Sequence, residues 1–149
     1  MKNNIIDIVS NRFNSKDKWG LVIGDIMLDH YIIGDVKRLS PEAPVPIVNV
    51  DDNVYKIGGA GNVALNLSGL GINTFIVGEI GNDYSGEVLK DLFKENGIST
   101  KNLIKKKGAT TTKTRIMGGQ QQMVRLDYEE LSSGPSESEL KKILKLISN

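Results

Sequence analysis

The run Gly58-Gly59-Ala60-Gly61-Asn62-Val63-Ala64 is where this chain can bring its backbone closest to a ligand, because residues without bulky side chains leave main-chain N–H groups open. Its Gly59 to Ala64 portion satisfies G-x-G-x-x-A, and Glu79 follows 20 residues after Gly59. That spacing would suit a dinucleotide, with pyrophosphate on a helix N-terminus and the acid on the ribose. The context opposes it. Such a turn follows a fully buried strand, and Asp51-Asp52-Asn53-Val54-Tyr55-Lys56 is too polar for that part. The apolar strand Leu21-Val22-Ile23 leads instead into Gly24-Asp25-Ile26-Met27-Leu28-Asp29. Asp25 and Asp29 therefore lie near the carboxyl end of a strand, where α/β sheets bind ligands. Carboxylates there can accept hydrogen bonds from the hydroxyls of a polyol, or can simply cap a turn or helix. A third group is cationic. Lys113 and Arg115 alternate in a β-rich stretch, so their side chains share a face, and Arg125 falls on the expected hairpin partner. Three such donors could hold a phosphate by charge-assisted hydrogen bonds, although Arg125 could instead pair with Asp127.

Composition removes several other chemistries. The 149 residues include no cysteine and a single histidine, His30, so a disulfide framework, a thiolate nucleophile and a zinc centre are all disfavoured. The formal net charge of +1 provides no long-range attraction to nucleic acid or an anionic membrane. No apolar run approaches a bilayer span, and Met1 to Asn4 leads into no signal-type core. A cytoplasmic α/β protein without nucleic-acid or membrane partners is the expectation.

The elements that must position these residues follow from periodicity and punctuation. Ile5, Ile6, Val9 and Phe13 share one face of a helix expected over residues 3–15. A strand is expected over 19–23. Extended stretches follow at 31–33 and 45–50, the latter crowded by Pro41, Pro44 and Pro46, which places it at an edge or in a small separate sheet. The glycine run opens a helix through Leu70, closed by Gly71. Residues 74–78 form a buried strand, 87–96 an amphipathic helix ended by Gly97, and Leu103-Ile104 a weak strand. Thr110 to Met117 and Gln122 to Asp127 form a hairpin around Gly118-Gly119. Ser136-x-x-Glu139 is a capping box that starts a last helix with Leu140, Ile143, Leu144 and Ile147 on one face. Strand–helix–strand succession implies a parallel sheet. Two or three central strands are fewer than a doubly wound sheet normally has, so a piece of a larger domain is expected.

Several segments occur in a fixed order: Gly24 to Asp29, Ser40-Pro41-Glu42-Ala43-Pro44-Val45-Pro46, Gly58 to Ala64, Gly78-Glu79-Ile80-Gly81-Asn82-Asp83, Lys113-Thr114-Arg115, and Gln121-Gln122-Met123-Val124-Arg125-Leu126-Asp127. Together they resemble the bacterial heptose 7-phosphate kinases, members of the ribokinase-like carbohydrate kinases that also form the first half of bifunctional heptose kinase/adenylyltransferases. The resemblance runs from about Gly20 to Glu130. It implies a three-layer α/β fold with a parallel sheet and a small β-sheet lid, its segments near 31–52 and 109–128. Asp29, with Asp25 as a second, would bind the sugar. Gly58, Gly59 and Asn62 would form the segment that lets backbone and amide approach it, and Lys113, Arg115 and Arg125 would take its phosphate.

The resemblance further implies ATP and Mg²⁺ as the intact enzyme's cofactors, a sugar phosphate as substrate and a homodimer formed through the lid. The family's Gly-Ala-Gly-Asp segment, which supplies the anion hole and catalytic base, has no match here, nor does the ATP-binding half. The chain is therefore expected to be an N-terminal, substrate-binding portion that binds no cofactor tightly, holds no metal, carries no catalytic base and is inactive alone. Other readings are a kinase for another sugar or nucleoside, a dinucleotide oxidoreductase, and a non-catalytic sugar-binding or dimerising fragment.

Overall fold

The computed structural model describes residues 19–130 and 134–147; the helix expected over 3–15 lies outside them. In chain order the elements are β1 (Trp19–Ile23), β2 (Ile26–Leu39), β3 (Pro46–Gly59), α1 (Ala60–Gly69), β4 (Asn73–Ile80), α2 (Tyr84–Glu95), β5 (Leu103–Lys105), β6 (Thr112–Gly118), β7 (Gln121–Tyr128) and α3 (Glu137–Ile147). They build two sheets. One is parallel, in the order β1-β4-β5. The other has four strands in the order β3-β2-β6-β7, with β2 parallel to β6 and antiparallel to β3.

One core joins both sheets. Ile76 and Ile80 of β4 and Leu89 and Phe93 of α2 pack with Ala64 of α1 and with Ile26, Leu28 and Ile57 from the base of the four-stranded sheet. Burying side chains of this size stabilises by about 1.5–3 kcal/mol each, enough to fix which face of β2 turns inward. Because side chains alternate across a strand, sending Leu28 into the core sends Asp29 out on the opposite face. This single constraint orients the candidate site.

The four-stranded sheet extends lower than the segments 31–52 and 109–128 suggest. β2 already starts at Ile26, since Ile26 and Leu28 alternate into the core, and Asp29 lies within this strand rather than just beyond the first. β3 runs on through the polar stretch 51–56 to Gly59. That stretch is compatible with a strand because β3 is an edge strand with exposed positions, and Pro46 at its first residue removes no needed ladder donor.

Helix ends follow their local chemistry. α1 closes on Gly71 at φ 80°, whose N–H donates to the Ser68 carbonyl while that of Ile72 donates to Leu67. α2 begins before Glu87, at Tyr84, with Asp83 as its cap; the poor helix formers Ser85 and Gly86 hide this first turn from a pattern search. In α3 the capping box forms, Ser136 N–H donating to Glu139 Oε2 at 2.8 Å. No helix among the described residues is long and apolar enough to cross a membrane.

Candidate functional site

Asp29 stands between two lysines. In register it faces Lys56 of β3 on one side and Lys113 of β6 on the other, and register partners point to the same face. Beneath it lies Gly58, where a Cβ would come 2.5 Å from Asp29 Oδ2 and 2.8 Å from Met27 Cγ. A side chain at position 58 would thus displace the carboxylate. Gly59 adopts φ 59° and caps α1 without a side chain, a conformation that strongly favours glycine. The Ala60 N–H donates to the Asp25 carbonyl at 2.8 Å, so the main chain of Asp25 ties the β1–β2 turn to the helix start. Its side chain is exposed, as is Asn62 in the first turn of α1.

Arg115 completes the centre. Its Nη1 donates to Asp29 Oδ1 at 2.5 Å, and both side chains are only about one-fifth exposed. This charge-assisted bond raises the guanidinium pKa above its ordinary value, against the opposing effect of burial. The Tyr31 ring lies beside the pair. Arg115 Cζ is 5.3 Å and Lys56 Nζ 5.2 Å from its centroid, within cation–π range. Arg125 does not join this group. It is the register partner of Arg115, yet its Nε and Nη2 donate to Asp127 Oδ1 and Oδ2 at 2.8 and 3.0 Å, so its fork is occupied. The structure therefore brings together Asp29, Gly58, Gly59, Lys113 and Arg115, leaves Asp25 and Asn62 exposed near the glycine turn, and gives Arg125 to Asp127.

Sequence reasoning passed over Tyr31, Lys56 and Thr110. The first two were accessible from strand alternation had β2 and β3 been extended to Asp29 and Gly58. Thr110 acts at a distance. Asp83 accepts hydrogen bonds from Thr110 Oγ1 at 2.5 Å, from Thr110 N–H at 2.9 Å and from Gly86 N–H at 3.0 Å. Thr110 Oγ1 in turn accepts from Gly81 N–H at 2.9 Å. Burial pushes the Asp83 carboxyl up, but these bonds outweigh it and hold the group below its usual range. The joint fixes the chain where it enters β6, two residues before the strand that carries Lys113 and Arg115.

The opposite face of the sheet is a different environment. His30 stacks on Tyr55 with ring centroids 4.5 Å apart, and its Nε2 lies 3.1 Å from Asn53 Oδ1. This histidine is packed, and it lies with Tyr84, Leu126 and Tyr128 around a cavity of about 390 Å³. The dinucleotide pattern is met in letters but not in context. β3, which precedes it, runs antiparallel to its neighbour in the second sheet. The space that a Cβ on Gly61 would need is filled by Ile57 Cγ2 at 2.4 Å and Phe93 Cζ at 2.9 Å, so Gly61 serves helix packing rather than approach of a pyrophosphate. Among the described residues no group of three or more acidic, histidine or cysteine side chains lies together as a metal-ion cage. Mg²⁺ held largely by nucleotide phosphates needs only one or two carboxylates, and the roles given to this chain's residues do not depend on it.

A family model described as pfkB family carbohydrate kinase matches residues 20–149. The bifunctional protein HldE of Methylobacillus flagellatus is 45% identical over 141 residues, covering 94% of this chain and 29% of that protein. The D-beta-D-heptose 7-phosphate kinase of Bordetella bronchiseptica is 43% identical over 110 residues, covering 74% of this chain and 35% of its own length. The chain thus spans about a third or less of these curated relatives. Among solved structures, a ribokinase from Thermotoga maritima superposes with a TM-score of 0.54 at 20% identity, over 72% of this chain and 35% of that one. A sugar kinase from Pyrococcus horikoshii in complex with ATP gives 0.53 at 24% identity, over 75% and 34%. These likenesses establish the ribokinase-like fold of the sugar kinases.

Proposed function

Because this chain belongs to the pfkB family of carbohydrate kinases, we propose that it forms the acceptor-binding part of a kinase for a heptose 7-phosphate. One observation carries the proposal: the Asp29–Arg115 pair rests against Gly58 with Lys113 on the same face. Sugar hydroxyls donate to Asp29, and Gly58 and Gly59 let the sugar ring approach the main chain. The ring's terminal phosphate takes charge-assisted bonds from Lys113 and Arg115, each worth about 1.5–3 kcal/mol. Arg115 thereby joins the two ends of the acceptor, holding Asp29 in place while contributing charge toward the phosphate. The Asp83–Thr110 joint keeps the β6 cations at a fixed distance from the glycine turn.

The intact enzyme transfers the γ-phosphate of ATP to the anomeric hydroxyl, giving a 1,7-bisphosphate destined for the heptose of the lipopolysaccharide core, in the cytoplasm. ATP supplies the phosphoryl group, and the residues of this chain bind and orient the acceptor. Positioning is a large part of catalysis in phosphoryl transfer, which is why an acceptor site is a catalytic asset even where it holds no base. Neither remaining carboxylate near the family motifs suits that part, Asp83 being committed to Thr110 and Gly86 and Asp127 to Arg125. The base and the ATP site are assigned to sequence that the relatives carry beyond the matched region. The 149 residues alone are accordingly inactive.

The four-stranded sheet is proposed as a lid over the acceptor and as the contact to a second copy. Its exposed apolar residues, among them Val50, Val124, Leu126 and Tyr128, support the second role. Function is tested by coupled ADP release with Mg-ATP and heptose 7-phosphate. A chain extended to the relatives' length turns over, Asp29→Ala in it does not, and the 149 residues alone do not. Turnover of the extended chain with another sugar but not with heptose 7-phosphate would overturn the substrate assignment.

A further inference from the structure

A phosphate monoester carries a charge of about −1.5 to −2 near neutral pH, and the cations first expected to meet it are partly spent. Arg115 is paired with Asp29 and Arg125 with Asp127. Among the described residues two lysines on this face have no ion-pair partner, Lys113 and Lys56. Lys56 is the direct register partner of Asp29 across β2–β3, as Lys113 is across β2–β6. The two backbones are two strand spacings apart, about 9.6 Å, so two four-carbon stems can converge on one anion above Asp29. Tyr31 is the next residue of β2 on that face. Its ring has Lys56 Nζ 5.2 Å away and Arg115 Cζ 5.3 Å away, so the exposed lysine lies within cation–π range of the sheet face.

We infer that Lys56 is a phosphate-binding, specificity-determining residue of the acceptor site, acting with Lys113 from the opposite side of Asp29. The inference rests on the acceptor reading above and adds to it a residue on a different strand from the expected cations. It also gives the sheet a physical reason to close. A phosphate bridging Lys56 and Lys113 ties edge strand β3 to β6 across β2, so the phosphorylated end of the sugar stiffens the four-stranded sheet. An unphosphorylated sugar, held at Asp29 and Gly58, makes no such bridge.

The test is calorimetric titration of the chain with heptose 7-phosphate and with unphosphorylated heptose. Lys56→Met should weaken the phosphorylated ligand about 10- to 100-fold, the loss of one charge-assisted contact, and leave the other within about twofold. Lys56→Arg should restore most of the difference, since it keeps the charge. Thermal melts of each variant establish that it folds, as expected for an exposed position. Lys113→Met serves as the parallel arm. If it loses phosphate-selective affinity and Lys56→Met does not, the inference about Lys56 is wrong while the acceptor reading stands. Equal weakening of both ligands by Lys56→Met would make Lys56 a support for Tyr31 and also overturn it. If the unsubstituted chain binds both ligands alike, the acceptor reading itself fails.

Discussion

Replacing Asp83 should loosen the acceptor site from a distance, by releasing Thr110 from the mouth of β6. In Asp83→Asn the amide oxygen can still take two of the three bonds now made to the carboxylate, those from Thr110 Oγ1 and Gly86 N–H. The amide nitrogen then faces the Thr110 N–H, donor against donor. Thr110 is 1% exposed, so water cannot replace the lost acceptor, at a cost of about 1–3 kcal/mol. Losing the negative charge at the start of α2 removes roughly 0.3–1 kcal/mol more. The total is about 1–4 kcal/mol. With a urea dependence near 2 kcal/mol/M, the unfolding midpoint should fall by roughly 0.7–2 M. The effect has a pH signature. Asp83 titrates below its ordinary value in the folded chain despite the opposing effect of burial, so its contribution is complete above about pH 4, the unfolded carboxyl range, and is lost as pH falls through the folded value. The gap between the native chain and Asp83→Asn should therefore narrow on acidification below about pH 4. A midpoint shift under about 0.3 M in urea, or a gap that widens in acid, would refute the reasoning.

Gly58→Ala should reduce heptose 7-phosphate binding by more than about tenfold, because the new methyl group meets Asp29 Oδ2 at 2.5 Å; titration at unchanged helix content checks it, and unimpaired binding would show that Asp29 has room to move. Arg125→Gln should change affinity by less than about threefold and stability by no more than about 1 kcal/mol, as suits an exposed pair; a large loss of phosphate-dependent binding would return Arg125 to the site. The chain should sediment as a dimer at micromolar concentration, and Leu126→Glu, at a position 41% exposed, should shift it toward monomer. A monomeric native chain with an intact β sheet by circular dichroism would remove the lid contact.

Much of this was legible in residue types and spacing. The break at Gly24-Asp25, the glycine entry to α1, the Gly118-Gly119 turn and the Ser136–Glu139 box all rest on local chemistry, and each lies where it was expected. Prolines 41, 44 and 46 implied a strand at an edge or in a small separate sheet, and β3 is at the edge of the second sheet. What stayed hidden depends on contacts distant in sequence. The pairing of Asp29 with Arg115 spans 86 residues, and nothing local says that a strand carrying Asp29 will lie parallel to one carrying Arg115. The polar stretch 51–56 read as unsuited to a buried strand, and so Lys56 was passed over, although an edge strand with open faces has no need to be apolar. Asp83 and Thr110 were missed as a pair for the same reason, since their sequence separation of 27 follows from how β6 returns to α2. Arg125 was the one cation for which local spacing held the answer, Asp127 being two residues away on the same strand face.

The most direct test of the central claim is the affinity of this chain for heptose 7-phosphate relative to heptose, measured by calorimetry on the native chain and on Arg115→Gln. With Asp29, Lys113 and Arg115 forming an acceptor site for a phosphorylated sugar, the native chain should prefer the phosphorylated ligand by about 100-fold or more, the worth of two charge-assisted contacts. Arg115→Gln should lose most of that preference and also weaken unphosphorylated heptose, because Asp29 loses the partner that holds it. Equal affinity of the native chain for the two ligands would contradict the claim, as would a preference that survives Arg115→Gln undiminished.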